Sequence, residues 1–186
     1  IICLGYPRCD SFFKKDFKVK RYKDKLLTKE LNKNYKKNGK VILYTPTWRP
    51  YPYQFPLFLM EGFVLEEFNK WLENENIFFF HSAHIVNFPE HFPSNLSRFV
   101  FIDHPKYPLF DINLFMHEVD ILINDYSTTS TDFALLKKPQ IFFMQDYEYY
   151  KNEKGFVDDY KAFLPGKEIK KYTQLTKTIK DYLVNP

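Results

Sequence analysis

From Val41 onward the chain alternates short apolar runs with longer stretches of mixed polarity. Val41 to Tyr44, Ile77 to Phe80, Phe99 to Ile102, Ile121 to Ile123 and Ile141 to Phe143 are brief, nearly unbroken runs of β-branched and aromatic residues. That composition and length predict strands buried on both faces. The stretches between them carry apolar residues at helical spacing. Tyr22, Leu26, Leu27, Leu31 and Tyr35 form one stripe with Gly39 as its C-terminal cap, and Val64, Phe68, Trp71 and Leu72 form another. Further helices are predicted to begin near Asp111, Thr129 and Thr173, the last with Leu175, Ile179, Tyr182 and Leu183 on one side. Strands alternating with helices predict an α/β domain built on a parallel sheet flanked by helices.

In a doubly wound sheet of this kind, ligands bind in a crevice at the carboxyl ends of the strands. The rule sorts the polar residues. Thr45, Thr47 and Arg49 follow the first strand, His81, Ser82 and His84 the second, Asp125 to Thr129 the fourth, and Asp146 with Glu148 the fifth. All are expected on one edge, although loops are polar in any protein and the coincidence alone carries little weight.

The sharpest local signal is Asp120 to Asp132, where an apolar strand breaks into hydroxyls and then into a helical pattern. Thr129 and Asp132 have the spacing of a reciprocal helix cap. Hydroxyls and free backbone N–H groups beside a helix start suit a phosphate. Capping alone needs one Ser or Thr and one acid, whereas this turn offers Asp125, Ser127, Thr128 and Thr129, a surplus that points to a ligand.

The other clusters read two ways. Pro46 fixes a turn and Arg49 can grip phosphate oxygens with two N–H groups, yet a Pro-x-x-Arg segment is also an ordinary turn with a surface arginine. His84 could face a phosphate or move a proton, or be satisfied by local backbone. His81, His84, Glu90 and His91 match no catalytic zinc spacing and have no cysteine nearby, so no metal is expected. Asp146 and Glu148 could accept from a ribose or polyol hydroxyl, or simply be solvated. Residues 50 to 57, with Pro50, Pro52 and Pro56 among aromatics, are a lid, a docking surface or a plain loop. Gly155 and Pro165-Gly166 read as turns.

Composition narrows the class. With 186 residues, 45% hydrophobic and 27% charged, the chain is long enough for one domain with a sizeable core. Its 21 Phe and 14 Tyr make that core aromatic, and every buried Tyr hydroxyl will need a partner. The net charge of +4 is spread through lysine-rich helical stretches such as Lys14 to Lys40. Without an RNP, zinc-finger or helix-turn-helix pattern, it gives no ground for nucleic acid as a partner. Cys3 and Cys9 make no disulfide framework, so a reducing cytoplasm is expected. No apolar run approaches membrane-spanning length. Because the chain opens on Ile1, it is expected to be either cut from something longer or processed at its start.

Taken together, Gly5 to Asp10, Tyr44 to Arg49, Asp120 to Thr128, Asp132-Phe133, Lys138-Pro139, Asp146 to Tyr150 and Leu164 to Gly166 resemble the CDP-glycerol glycerophosphotransferases of teichoic-acid and capsule synthesis, in order and nearly end to end. The resemblance implies the C-terminal, Rossmann-like, donor-binding domain of a GT-B type transferase. Residues 1–16 would be an inter-domain linker, and the N-terminal acceptor domain would lie outside this chain. It implies a reaction in which an acceptor hydroxyl, on a polyol-phosphate or glycan, attacks the β-phosphorus of CDP-glycerol and releases CMP, without a cofactor, at the cytoplasmic face of the membrane.

The family's Pro-Thr-Trp-Arg falls on Pro46 to Arg49, making Arg49 a phosphate ligand or a support behind the ligands. Its Asp-Tyr-Ser-Ser falls on Asp125 to Thr128, placing Ser127 and Thr128 on the diphosphate. Its Lys-x-His-Pro falls on Ser82 to Ile85, where only His84 is kept as the acid, base or phosphate-facing residue; His104-Pro105 is a rival match. Lys154-Gly155 stands where the family has Arg-Gly, keeping charge but losing bidentate reach. These departures leave another CDP-alcohol, or a nucleotide sugar, open as donor, and leave a nucleotide-binding domain without catalysis as a third reading.

Overall fold

The computed structural model describes residues 6–13, 39–49, 55–82, 96–102, 110–156 and 159–185. Its centre is a six-stranded sheet: β1 (Lys40–Thr45), β2 (Ile77–His81), β3 (Phe99–Phe101), β4 (Ile121–Asn124), β5 (Gln140–Phe143) and β6 (Lys167–Ile169). The strands lie in the order β3-β2-β1-β4-β5-β6, and every pair is parallel. This is the doubly wound, Rossmann-like order, with its reversal between β1 and β4.

Burial on both faces explains the unbroken apolar runs. Along β1, Ile42 and Tyr44 enter one core with Phe79, Phe68, Leu72, Leu175 and Ile179, while Val41 and Leu43 enter the other with Phe78, Phe80, Phe115 and Phe133. The first core is covered by α1 (Leu65–Asn74) and α5 (Tyr172–Val184), the second by α2 (Ile112–Phe115) and α3 (Thr129–Ala134). Each fully buried phenyl contributes about 2–3 kcal/mol of transfer free energy, so the Phe-rich strands hold much of the stability. Asp120 sets the start of the central pair, because its carboxylate accepts from the Val41 N–H at 2.8 Å.

The five expected strands are present within a residue or two of their predicted limits. One strand and one α-helix were not anticipated: the edge strand β6, and α4 (Tyr147–Glu153), none of whose residues is buried. Gly155 ends α4 at φ +72°, a left-handed conformation that favours glycine. The reciprocal cap expected at Thr129 and Asp132 does not form. Thr128 is the N-cap and makes no side-chain cap bond, while Asp132 accepts from Arg8 at 2.6 and 3.1 Å and from the Cys9 thiol at 3.3 Å. These bonds tie the short Pro7–Phe12 turn to α3. The Tyr22–Tyr35 stripe, the Pro50–Gln54 part of the proline-rich loop, His84, Glu90, His91 and His104 lie outside the described residues.

Candidate functional site

Reversal of the strand order opens a crevice between the connections that leave β1 and β4. Asp125 closes the base of that crevice. Completely buried at the end of β4, its carboxylate accepts from the Thr47 backbone N–H at 2.9 and 3.0 Å, from the Thr47 hydroxyl at 2.6 Å and from Arg49 Nη1 at 2.6 Å. Thr45 and Asn124 join the same two strands one layer below, hydroxyl to amide oxygen at 3.2 Å.

Arg49 extends the lock to β5. Only 3% exposed, it donates Nε and Nη2 to the two oxygens of Asp146 at 2.7 and 2.9 Å, and Nη1 to the Thr47 carbonyl at 2.8 Å as well as to Asp125. The Tyr126 hydroxyl donates to Asp146 at 3.0 Å, and the guanidinium lies 5.4 Å from the Tyr126 ring centre. Burial works against the charge of Arg49, but the bonds and charges of Asp146 and Asp125 more than offset it and raise its pKa. Burial would likewise raise the Asp146 carboxyl; hydrogen bonds and charge from Arg49 outweigh it and hold that group below its ordinary value. The loops after β1, β4 and β5 thus share one buried ionic network. The N–H groups with which Arg49 could have gripped a phosphate are directed at these carboxylates and the Thr47 carbonyl.

Above the network sit the hydroxyls. Ser127 Oγ accepts from the Thr129 N–H at 3.3 Å and is hydrogen-bonded to the Thr129 hydroxyl at 2.9 Å; the Asn124 amide N–H donates to the Ser127 carbonyl at 2.9 Å. Thr128 is exposed. Because α3 is only 6 residues long, its dipole is small, and the capacity of this turn for an anion rests on hydroxyl and backbone N–H donors.

His81 is not a crevice residue. It ends β2 with no exposed surface, stacked on Phe101 at 4.5 Å and edge-on to Tyr44 at 4.9 Å. Among the described residues neither ring nitrogen has a hydrogen-bond partner, and burial pushes its pKa down to about 3, so it is neutral. Among the described residues no group of three or more His, Cys, Asp or Glu is placed to hold a metal, and no helix is long and apolar enough to cross a membrane.

One part of the site escaped sequence reasoning. Tyr126, Tyr147, Tyr150, Phe156 and Tyr160 form an aromatic cluster beside the hydroxyl turn, fixed to the network by the Tyr126 bond to Asp146 and by the Tyr160 hydroxyl donating to the Asp125 carbonyl at 2.7 Å. Between this cluster and α3 lies a cleft of about 600 Å³. Its only trace in the sequence is the density of Tyr and Phe from 147 to 163.

Comparison with known proteins identifies the family. The family model for CDP-glycerol:poly(glycerophosphate) glycerophosphotransferase matches residues 1–185. A teichoic acid poly(ribitol-phosphate) polymerase of Bacillus spizizenii is 33% identical over 185 residues, covering 100% of this chain and 29% of that protein. A teichoic acid glycerol-phosphate primase of Bacillus subtilis is 30% identical, covering 90% of this chain and 39% of the other. The solved structure of the wall teichoic acid polymerase TagF superposes with a TM-score of 0.69 at 26% identity, over 99% of this chain and 44% of that one. A TagF variant soaked with CDPG gives 0.68 at 28% identity. The fold is therefore the Rossmann-like domain expected of a GT-B type transferase, and the chain spans less than half the length of these relatives. A match over residues 1–185 makes this chain a member of the CDP-glycerol:poly(glycerophosphate) glycerophosphotransferase family.

Proposed function

We propose that this chain is the donor-binding domain of a glycerophosphotransferase that moves glycerol phosphate from CDP-glycerol to a hydroxyl of a growing polymer or linkage unit. One observation carries the reading: the Ser127-Thr128-Thr129 turn sits at the reversal of the strand order, on loops locked together by Arg49, Asp125 and Asp146. Ser127, Thr128 and Thr129 hold the diphosphate. Thr47, Arg49, Asp125 and Asp146 keep that turn in place, so Arg49 acts as support behind the ligands.

In the reaction, the acceptor oxygen bonds to the β-phosphorus while the bond from that phosphorus to the bridging oxygen breaks, and CMP leaves. The hydroxyl proton passes to a base, for which His84 is the candidate. Chemistry of this kind depends on in-line positioning and on donors aimed at the phosphoryl oxygens, which a rigid turn supplies without reorganising. A further domain supplies the acceptor side of the cleft, in keeping with relatives of which this chain spans less than half. Polymer acceptors place the reaction at the inner face of the cell membrane.

A ligand that binds only the native state raises its melting temperature. CDP-glycerol and CDP are expected to raise that of this protein more than UDP- or GDP-sugars at equal concentration. A larger shift with a UDP-sugar would instead support a glycosyltransferase.

A further inference from the structure

Asp132 stands one helical turn beyond the hydroxyls of the phosphate turn and is paired with an arginine 124 residues away. We propose that this arginine, Arg8, is a positioning residue for the donor's diphosphate: it neutralises and orients Asp132, which would otherwise set an unpaired carboxylate against the turn that receives the phosphates. This rests on the donor reading above, which makes Ser127 to Thr129 the phosphate site.

Three observations carry it. First, α3 has only 6 residues, too few to repay the cost of starting a helix, so its place is set by what grips it. Phe133 enters the second core, the Gln140 amide donates to the Ser130 carbonyl at 3.1 Å, and Arg8 and Cys9 hold the Asp132 carboxylate. Second, Asp132 is tied to the hydroxyl turn itself. Its backbone N–H donates to the Thr128 carbonyl at 3.3 Å, and residues four apart on a helical backbone have Cβ atoms about 5–6 Å apart. A shift of this carboxylate therefore reaches Thr128 directly.

Third, Asp132 is only 5% exposed, so solvent screens its charge poorly. Its side-chain partners among the described residues are the forked Arg8 guanidinium and the Cys9 thiol. Burial pushes the thiol pKa up and keeps it a neutral, weak donor, which leaves Arg8 as the opposite charge in this set. A buried ion pair adds little stability over an apolar pair of the same shape, so stability alone is a weak reason for this one. Beside a phosphate turn the pair has a use. An uncompensated carboxylate at that distance repels a diphosphate, and a forked guanidinium cancels the charge while fixing the direction of the carboxylate. Arg8 is itself held, over the Tyr6 ring at 4.1 Å and in a turn that Phe12 anchors edge-on to His117 at 5.3 Å.

The test is isothermal titration of the whole protein with CDP and, separately, with inorganic pyrophosphate, at a temperature where circular dichroism shows each variant folded. Arg8→Gln leaves the carboxylate charged and unpaired, and is expected to weaken both ligands about tenfold, the scale of one uncompensated charge at intermediate dielectric. Asp132→Asn leaves Arg8 as an uncompensated cation, and should tighten both by about threefold, less because Arg8 is partly exposed. The double variant should bind both within about twofold of wild type. A pair that serves the fold alone would lower stability and leave both affinities unchanged, and that result overturns the proposal. Weakening in Asp132→Asn also overturns it, since the lost bond rather than the orphaned charge would then be responsible. Should Arg8→Gln not fold, Asp132→Asn decides alone: tighter binding supports the proposal, and unchanged or weaker binding overturns it. Failure of the donor reading looks different: wild type itself would prefer UDP or GDP to CDP, while the pyrophosphate comparison would still decide the role of Arg8.

Discussion

Replacing Arg49 with methionine tests the ionic lock at its centre. The side chain is 3% exposed and its partner Asp125 is completely buried, so the scale for exposed ion pairs, about 0–1 kcal/mol, does not apply. Removing one partner of a buried pair costs about 3–5 kcal/mol, because the other charge stays desolvated and unpaired. The loss in Arg49→Met belongs near the lower end. Asp125 keeps the Thr47 N–H and hydroxyl and the Tyr126 N–H, and Asp146 is 26% exposed and can be reached by water. A loss of about 3 kcal/mol lowers Tm by roughly 6–12 °C in a chain of this size.

Urea unfolding of wild type and variant, followed by circular dichroism, measures the difference directly. Its pH dependence is a second check. Because Arg49 holds the Asp146 carboxyl below its ordinary value, that part of the stabilisation is complete above the unfolded pKa of about 4 and is lost as the pH falls toward the lower folded value. The gap between wild type and Arg49→Met should therefore be constant above about pH 5 and narrow below about pH 4. Arg49→Lys should recover only a small part, since one ammonium cannot serve both carboxylates in forked geometry. A loss under about 1 kcal/mol, or a gap that does not change on acidification, would mean that Arg49 does not hold a buried ionic lock.

Two further outcomes follow from the same geometry. His81→Phe should flatten the acid limb of the stability profile: between about pH 6.5 and 3 the unfolded wild-type chain takes up a proton that the buried imidazole does not, so wild-type stability falls with pH by up to about 1.4 kcal/mol per unit. Denaturation at pH 7 and pH 5 should thus favour the variant by about 2 kcal/mol more at the lower pH, and an equal difference at both contradicts the assignment. Ser127→Ala combined with Thr128→Val should cost about 1 kcal/mol of stability through the lost bond to the Thr129 N–H, yet abolish the thermal shift produced by CDP. An undiminished shift would reduce the turn to a helix start.

The sheet was legible because burial on both faces writes itself into the sequence as unbroken apolar runs. β6 was not: Lys167-Glu168-Ile169 is an edge strand in which only Ile169 is buried. α4 was missed for a related reason: none of its residues is fully buried, and Tyr147 and Tyr150, partly buried against the aromatic cluster, are too few to mark a helical stripe. The edge of the sheet that gathers the polar clusters could be read from connectivity, but not what each side chain would touch. Asp132 looked like half of a cap because its true partner, Arg8, is 124 residues away. In the same way Arg49 meets Asp125 and Asp146 across 76 and 97 residues, and no local spacing separates an arginine aimed at a ligand from one aimed at two carboxylates. His81 looked like the first residue beyond a strand; the pairing of β2 with β1 through Tyr44 and His81 carries the strand one residue further into the core.

Presentation of a CDP-activated alcohol for transfer can be measured by incubating the whole protein with CDP-glycerol labelled in the glycerol and a glycerol-phosphate-terminated acceptor, and following label in the acceptor together with CMP. The two should appear in equal amounts, and both should be lost in Ser127→Ala/Thr128→Val. Label transferred from a UDP- or GDP-sugar instead, with no CMP released from CDP-glycerol, would contradict a CDP-activated donor.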